Sequence, residues 1–264
     1  MTPRLQVLGG GKMGEALVAG LLAAGWAAEA ELAVVEKYGP RREELSARWP
    51  RVVVSEDPLP AAGVIVAVKP NDVETACRAA AAAGVERALS IAAGVRLTHL
   101  EAWLGEGVPV VRAMPNTPAT VGAGAAAIAG GTSAIDDDLA WAESILAAVG
   151  IVVRVPEDLL DAVTGLSGSG PAYVFLLAEA LMAAGEEVGL PAEVSRALTV
   201  QTLLGAARLL AETGEAPDVL RTNVTSPGGT TAAGLAVLDE RDLRGAVAAA
   251  VAAATERSRQ LGGG

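Results

Sequence analysis

The 264-residue sequence has very few of the side chains that most often carry metal-binding or nucleophilic chemistry. It contains one cysteine, Cys77, and one histidine, His99. A single cysteine excludes an intrachain disulfide and a cysteine-based zinc cluster, and a single histidine excludes a histidine-rich metal site. We therefore expect no metal, and we interpret Cys77 as a small core residue and His99 as a solvated surface residue. Any chemistry must rest on hydroxyls, carboxylates, lysine, backbone amides or a cofactor.

Aromatic residues and positive charge are also scarce. Aromatics make up 3% of the chain although 52% of it is hydrophobic, a composition typical of a helix-rich globular protein. The net charge is −11, and no basic cluster is denser than Arg41-Arg42, which disfavours nucleic acid binding. The longest uncharged apolar run, 246–254, is too short to span a bilayer, and no basic-then-apolar signal pattern opens the chain. We expect a cytoplasmic protein that binds neither nucleic acid nor membrane.

Short β-branched runs alternate with alanine-rich amphipathic segments in the first half of the chain. This alternation is typical of strand–helix–strand units and predicts an α/β fold with a mostly parallel sheet. From residue 159 onward the strand pattern stops and the sequence predicts helices only. The predicted strands are 5–8, 32–35, 52–54, 64–68, 88–91, 108–111 and 151–155. The predicted helices are 14–24, 41–49, 73–83, 172–188, 192–212, 230–238 and 243–261.

A glycine fingerprint follows the first predicted strand. Gly9, Gly11 and Gly14 match G-x-G-x-x-G, with Lys12 and Met13 inside the motif and a helix predicted after it. In this context the first glycine permits the tight turn, the second lets the backbone approach a pyrophosphate, and the third lets the helix lie close to the strand. We therefore predict a Rossmann-type dinucleotide-binding domain over residues 1–158 and an all-helical domain over 159–264.

The choice between NADH and NADPH is left open by the residues after the second strand. Glu36 lies where an acidic side chain usually holds the ribose hydroxyls of NAD, and its charge would repel a 2′-phosphate. Lys37, Arg41 and Arg42 follow and are able to pair with such a phosphate. The two signals conflict.

Two further strand ends lie at the carboxyl edge of the predicted sheet, where dinucleotides bind. We expect Lys69, at a strand end and before a proline, to lie near the ligand. The cofactor-binding residues predicted from these two strand ends are Ala67, Val68, Lys69, Pro70, Ala92, Ala93 and Gly94.

Two glycine-rich polar segments, 165–173 and 223–231, interrupt the helical second half. Glycine or proline within a helix costs about 1 to 3 kcal/mol per residue. We therefore predict that both segments break the helices and that a ligand meets the main chain there.

Together these motifs resemble the pyrroline-5-carboxylate reductase family nearly from end to end. The resemblance is carried by segments 9–14, 67–70, 92–94, 114–118, 157–173 and 226–231, of which the last two are the most specific. It implies that the helical domain interlocks with a partner in a homodimer, often gathered into a decamer, with each active site completed across the dimer. It also implies NADPH as the commoner cofactor, with NADH plausible here, and a cofactor role for Asn116. By motif match, Glu157, Asn223, Thr230 and Thr231 line the substrate pocket.

The substrate that this resemblance implies is a cyclic imine bearing a carboxylate, 1-pyrroline-5-carboxylate, which hydride reduces to L-proline. Because an iminium carbon is already electrophilic, the site needs orientation more than acid strength. The exposed amides of Gly228, Gly229 and Thr230 are suited to the carboxylate, and the Thr231 hydroxyl to the ring nitrogen as a catalytic proton relay.

Two other functions remain open at this point. A β-hydroxyacid-type dehydrogenase has a similar two-domain plan, but it needs a catalytic lysine in the helical domain, and no lysine follows Lys69. A non-catalytic NAD(P)-sensing protein is the second alternative.

Overall fold

The computed structural model describes residues 2–263, and its central feature is an eight-stranded sheet. The strand order is β3-β2-β1-β4-β5-β6-β7-β8, and every neighbouring pair is parallel except β6 and β7. The mostly parallel α/β sheet predicted from the sequence is confirmed. The strands are β1 (Leu5–Leu8), β2 (Leu32–Val35), β3 (Val53–Ser55), β4 (Val64–Val66), β5 (Ala88–Ser90), β6 (Val110–Met114), β7 (Gly124–Gly130) and β8 (Gly150–Arg154).

Both faces of the sheet are covered by helices, because side chains on each strand alternate between two apolar cores. Leu5 and Val7 of β1 belong to one core, whereas Leu8 belongs to the other. The helices are α1 (Lys12–Ala23), α2 (Gly39–Arg48), α3 (Val73–Ala83), α4 (Leu97–Leu104), α5 (Asp136–Leu146), α6 (Leu160–Val163), α7 (Gly170–Glu187), α8 (Ala192–Thr213), α9 (Pro217–Asn223), α10 (Thr230–Glu240) and α11 (Leu243–Leu261).

Strand β7 and helices α5, α6 and α9 were not predicted, whereas residues 96–101, which have the sequence of a helix start, do begin α4. Strand β7 has the sequence GAAAIAG, so it carries almost no β-branched signal. A Cβ on Gly124 would lie 2.9 Å from both Ala119 Cβ and Val149 O, so close packing requires glycine at the start of this strand. Helix α5 does carry a signal, since its first turn is Asp136-Asp137-Asp138 and Asp138 caps it by accepting a bond from the Ile135 amide at 3.1 Å.

The prediction that segment 165–173 breaks the helices is borne out only in part, because α6 ends before it and α7 begins within it, at Gly170. Residues Thr164–Gly168 form a π-helical turn, with the Ser169 amide bonded to Thr164 O at 2.8 Å, between α6 and α7. A Cβ on Gly168 would lie 2.6 Å from Met114 Cε. Glycine therefore serves close packing here, and the extra residue of a π-turn absorbs the irregularity without ending the helical run. The second segment does leave the helix, between α9 and α10.

By packing, the chain forms two compact units. The first runs to Ser169 and takes in the chain again from Ala252, and the second is Gly170–Val251. In the first unit the last turns of α11 return to the nucleotide-binding fold, where Ser258 Oγ donates to Asp161 Oδ1 at 2.6 Å. The domain division after residue 158 stays a proposal.

The second unit consists of helices only and leaves most of its apolar side chains exposed. Phe175 and Leu176 of α7 are 61% and 66% exposed, and Leu198 and Leu204 of α8 are 55% and 52% exposed. Its buried contacts are small and polar, such as Ser195 Oγ donating to Met182 O at 2.8 Å. So much exposed apolar area is typical of a surface that another chain covers.

Candidate active site

The glycine fingerprint forms a tight turn between β1 and α1. Gly9 has a φ of +102°, and a Cβ on it would lie 2.7 Å from Ala67 O. A Cβ on Gly14 would lie 2.1 Å from Gly9 O, so only glycine lets α1 begin this close to the strand. By contrast, a Cβ on Gly11 would meet nothing within 4 Å. The three glycines thus have the geometry that the motif predicts.

A cavity of about 420 Å³ lies at the carboxyl ends of β1, β2 and β4. This is the topological switch point of the sheet, because the chain leaves β1 toward β2 and β3 and then returns to β4 on its other side. Six of the predicted cofactor residues line it: Gly9, Gly11, Glu36, Ala67, Val68 and Lys69.

Helix α3 supplies a wall of the cavity that was not predicted. Asp72, Thr75, Ala76 and Ala79 line the cavity at the spacing i, i+3, i+4 and i+7. That spacing places them on one face of a helix directly after the Lys69-Pro70 turn. The small side chains of Thr75, Ala76 and Ala79, on one face of the predicted helix, were the feature of the sequence that could have indicated a cavity wall.

The Glu36 carboxylate is held in place by two backbone amides. Its Oε2 accepts from Gly10 N and its Oε1 from Tyr38 N, each at 2.9 Å. Gly10 was not a predicted site residue, yet a Cβ there would lie 2.5 Å from Leu45 Cδ1 and 3.2 Å from Glu36 Oε2. The carboxylate is therefore fixed at the wall of the cavity where an adenosine ribose is expected.

The neighbouring Arg41 guanidinium is bound to the protein itself. Its Nε donates to Gly10 O at 2.8 Å, and its two terminal nitrogens pair with Glu44 and Glu15. The bond to Glu44, followed by that to Glu15, raises the pKa of Arg41 above its ordinary value. Arg41 is thus the centre of an ion-pair network that joins α1, α2 and the glycine turn.

The other predicted cofactor residues lie outside the lining of this cavity. Lys12 opens α1, Met13 packs on the core, and Pro70 opens a short turn before α3. Ala92 is buried, Ala93 is exposed, and Gly94 has a φ of +75°. Asn116 ties two segments together, since its Nδ2 donates to Ser167 O at 3.1 Å and its Oδ1 accepts from Ala125 N at 2.8 Å.

Glu157, predicted as a substrate residue, forms a partly buried ion pair. Its Oε1 accepts from Arg112 Nη1 at 2.8 Å and from the Leu97 amide at 2.7 Å. The Arg112 side chain is 7% exposed and that of Glu157 is 27% exposed. Glu157 therefore neutralises a buried cation on β6 and caps the start of α4.

The predicted substrate loop of the second unit precedes α10. Gly228 has a φ of +70°, and the Gly229 amide donates to Ser226 O at 3.0 Å. Thr230 and Thr231 open the helix and are exposed. The Asn223 side chain lies at the end of α9, where its Nδ2 is 3.5 Å from Glu215 Oε2.

The first unit fits a dinucleotide. Open space lies where a Cβ on Gly11 would project, and α1 begins at Lys12 with no side-chain cap on its first amides among the described residues. Uncapped amides at a helix N-terminus attract phosphate, and the fixed Glu36 carboxylate is suited to ribose hydroxyls.

Two family models match the chain. Residues 4–94 match the NADP oxidoreductase, coenzyme F420-dependent family, and residues 157–261 match the pyrroline-5-carboxylate reductase dimerisation family. A pyrroline-5-carboxylate reductase from Synechocystis sp. is 47% identical over 271 residues, which cover 99% of each chain. The chain belongs to the pyrroline-5-carboxylate reductase family.

Solved structures agree with this pyrroline-5-carboxylate reductase assignment. A pyrroline-5-carboxylate reductase from Coxiella burnetii is 38% identical with a TM-score of 0.92, covering 99% of each chain. A Plasmodium falciparum pyrroline carboxylate reductase with NADP bound is 30% identical with a TM-score of 0.81, covering 98% of each chain. The predicted family, and its Rossmann-type domain followed by a helical domain, are therefore confirmed.

The family match gives a reason for one feature that composition alone leaves ambiguous. The helical run Glu157–Glu187 is long and apolar enough to cross a membrane, and no residue in its most apolar 18-residue stretch is buried. In this reductase family the same residues begin the dimerisation domain. The exposed apolar side chains of α7 and α8 fit an interface between chains.

Proposed function

We propose that this protein is an NAD(P)H-dependent imine reductase that converts 1-pyrroline-5-carboxylate to L-proline, the last step of proline biosynthesis. The observation that carries this proposal is the match to named reductases over nearly the whole chain, 47% identical in one case. The cavity at the switch point supports it, because its lining fits the dinucleotide that such a reaction requires.

The reduced nicotinamide of the bound cofactor supplies hydride to the imine carbon. We propose that the site accepts both NADPH and NADH, and that Glu36 and the basic residues that follow it set the preference between them. Gly9 and Gly11 with the first amides of α1 bind the phosphates, and Lys69, three residues after β4, lines the same cavity. The chain's task is to hold its two ligands in a reactive geometry.

The loop before α10 is the proposed substrate site. The left-handed Gly228 exposes backbone at this turn, and Thr230 begins an 11-residue helix whose first amides suit a carboxylate. We propose that the Thr231 hydroxyl bonds the ring nitrogen and passes a proton to it. Asn223 and Glu157 belong to the proposal by motif, although Glu157 is already bonded to Arg112 and Leu97.

The proposed assembly is a homodimer formed through the helical domain, gathered further into a decamer. Its support is the dimerisation-family match over residues 157–261 together with the exposed apolar side chains of α7 and α8. Interfaces of obligate dimers bury thousands of Å² and are rich in such residues. We further propose a cytoplasmic enzyme with neither a nucleic acid nor a membrane as partner.

The deciding experiment follows the absorbance of the reduced nicotinamide after 1-pyrroline-5-carboxylate is added to the purified protein. We expect its oxidation to depend on the imine and to yield L-proline. In a parallel reaction, β-hydroxyacids are supplied with the oxidised nucleotides.

The outcomes separate the three candidate functions. Turnover of the imine supports the proposal. Turnover of a β-hydroxyacid alone would show a dehydrogenase instead. Nucleotide binding by calorimetry without turnover of either substrate would show a sensing protein.

A further inference from the structure

Three basic residues follow Glu36 in the sequence, Lys37, Arg41 and Arg42, and a carboxylate of the chain pairs with each of them. Lys37 Nζ lies 3.0 Å from Asp57 Oδ1, and Arg42 Nη2 lies 3.1 Å from Glu56 Oε2. Arg42 also donates from Nη1 to the carbonyl oxygens of residues 36 and 37, at 2.9 and 2.8 Å. These three contacts hold the Arg42 guanidinium against the chain, whereas the Lys37–Asp57 pair is exposed, 70% and 82%, and holds Lys37 only weakly.

Arg41 bonds the glycine turn directly, through Gly10 O, and also pairs with two carboxylates. Glu15, on the first turn of α1, bonds Arg41 with one carboxylate oxygen and Arg48 with the other. The Glu15 side chain is 22% exposed and that of Arg41 is 25% exposed, so water screens this pair less than a surface pair. Glu44 takes the remaining terminal nitrogen of Arg41.

The charge balance at this place is consequently unfavourable for a phosphate monoester. Such a group carries nearly two negative charges at neutral pH and needs donors that are not already used. A 2′-phosphate would instead meet the Glu36 carboxylate, which the amides of Gly10 and Tyr38 hold in place. A ribose with a free 2′-hydroxyl, however, is able to donate a hydrogen bond to that carboxylate.

We infer that the adenosine subsite selects NADH over NADPH, and that Glu15 is a specificity-determining residue because it withholds Arg41 from the 2′-phosphate. This inference rests on the proposed function, which supplies the premise that the protein binds NADH or NADPH. The inference adds which of the two nucleotides binds more tightly. Glu36 excludes the phosphate directly, whereas Glu15 acts through Arg41.

The test measures binding of two nucleotide fragments that lack the nicotinamide, ADP-ribose and 2′-phospho-ADP-ribose, by calorimetry on the full-length protein. The wild-type protein is expected to bind ADP-ribose roughly tenfold or more tightly. Glu15→Gln should bring the two affinities closer together, because it strengthens the binding of 2′-phospho-ADP-ribose. Glu36→Gln should shift the ratio in the same direction.

A double-substitution cycle isolates the role of Arg41. Arg41→Gln alone should leave the affinity ratio unchanged, and in the Glu15→Gln background it should abolish the gain. The ratio of the two affinities is informative even where a substitution disturbs the glycine turn, because such damage weakens the binding of both fragments. Glu143→Gln, which removes a carboxylate paired with Arg154 on the far edge of the same sheet, is the matched control.

Each result has one meaning. Equal or tighter binding of 2′-phospho-ADP-ribose by the wild-type protein, or an unchanged ratio in Glu15→Gln, overturns the selectivity inference while leaving the reductase proposal intact. Failure of both fragments to bind contradicts the dinucleotide site and therefore the proposed function.

Discussion

Replacing Glu157 distinguishes a structural role from a substrate-binding role for this residue. Glu157→Ala would leave the Arg112 guanidinium, 7% exposed, without its carboxylate and the Leu97 amide without its acceptor. Removing one partner of a fully buried ion pair costs about 3–5 kcal/mol, and loss of a helix cap costs about 1 kcal/mol. Because Glu157 is 27% exposed, water screens part of the first loss. We expect the free energy of unfolding to fall by about 2–4 kcal/mol in total.

The assay is urea denaturation of the wild type, Glu157→Ala and the double variant Glu157→Ala/Arg112→Met. The double variant should recover part of the lost stability, because it removes the uncompensated buried charge. Glu74→Ala is the matched control, since Glu74 pairs with Arg78 on the exposed face of α3 and its loss should cost at most about 0.5 kcal/mol.

A different result would assign Glu157 to the substrate. If Glu157→Ala unfolds at the wild-type urea concentration while its KM for 1-pyrroline-5-carboxylate rises, the ion pair is dispensable and the structural reasoning is refuted.

Four further predictions concern the catalytic loop, the glycine turn, the core and the assembly. Thr231→Ala should lower kcat/KM roughly ten- to hundredfold, whereas Thr222→Ala, which removes a hydroxyl bonded to Asp218 O in α9, should not. Wild-type kcat/KM in both variants would remove Thr231 from catalysis. Gly14→Ala should destabilise the fold by about 1–3 kcal/mol and weaken ADP-ribose binding, because its Cβ would lie 2.1 Å from Gly9 O; unchanged melting and affinity would contradict this. Burial raises the pKa of the Cys77 thiol to about 12, so at pH 8 a thiol reagent should label it only after unfolding, and rapid labelling of the native protein would contradict its burial. Light scattering after chromatography at low concentration should show at least a dimer; a fully active 26.4 kDa monomer would refute both the interface and an active site shared between subunits.

The sheet was predictable wherever strands are rich in valine and leucine. Strands β1 and β2 match their predicted bounds because every residue in them is buried and all but Gln6 are apolar. Strand β4 is two residues shorter than predicted, because Ala67 and Val68 turn aside to line the cavity. Strand β7 was missed since its glycines and alanines carry little β propensity.

The candidate site was predictable where backbone geometry dictates residue type. Glycine at positions 9 and 14 is required by contacts shorter than any Cβ allows, so the motif marks the turn directly. The engagement of Arg41 by Glu15 was not visible, because it joins residues 26 positions apart that only the fold brings together. For the same reason Arg112, buried on β6, was not recognised as the partner of Glu157.

The return of α11 to the first unit has a consequence for how the protein is made. Thr255 and Ser258 are buried there, and the Ser258–Asp161 bond closes a chain separation of 97 residues. A ribosome delivers the chain from its amino end, and contacts this distant in sequence form late and slowly. The nucleotide-binding fold therefore lacks one of its packing elements until the last turns of α11 have emerged. Nascent chains released early would present an incomplete surface around Asp161, where chaperones and proteases act.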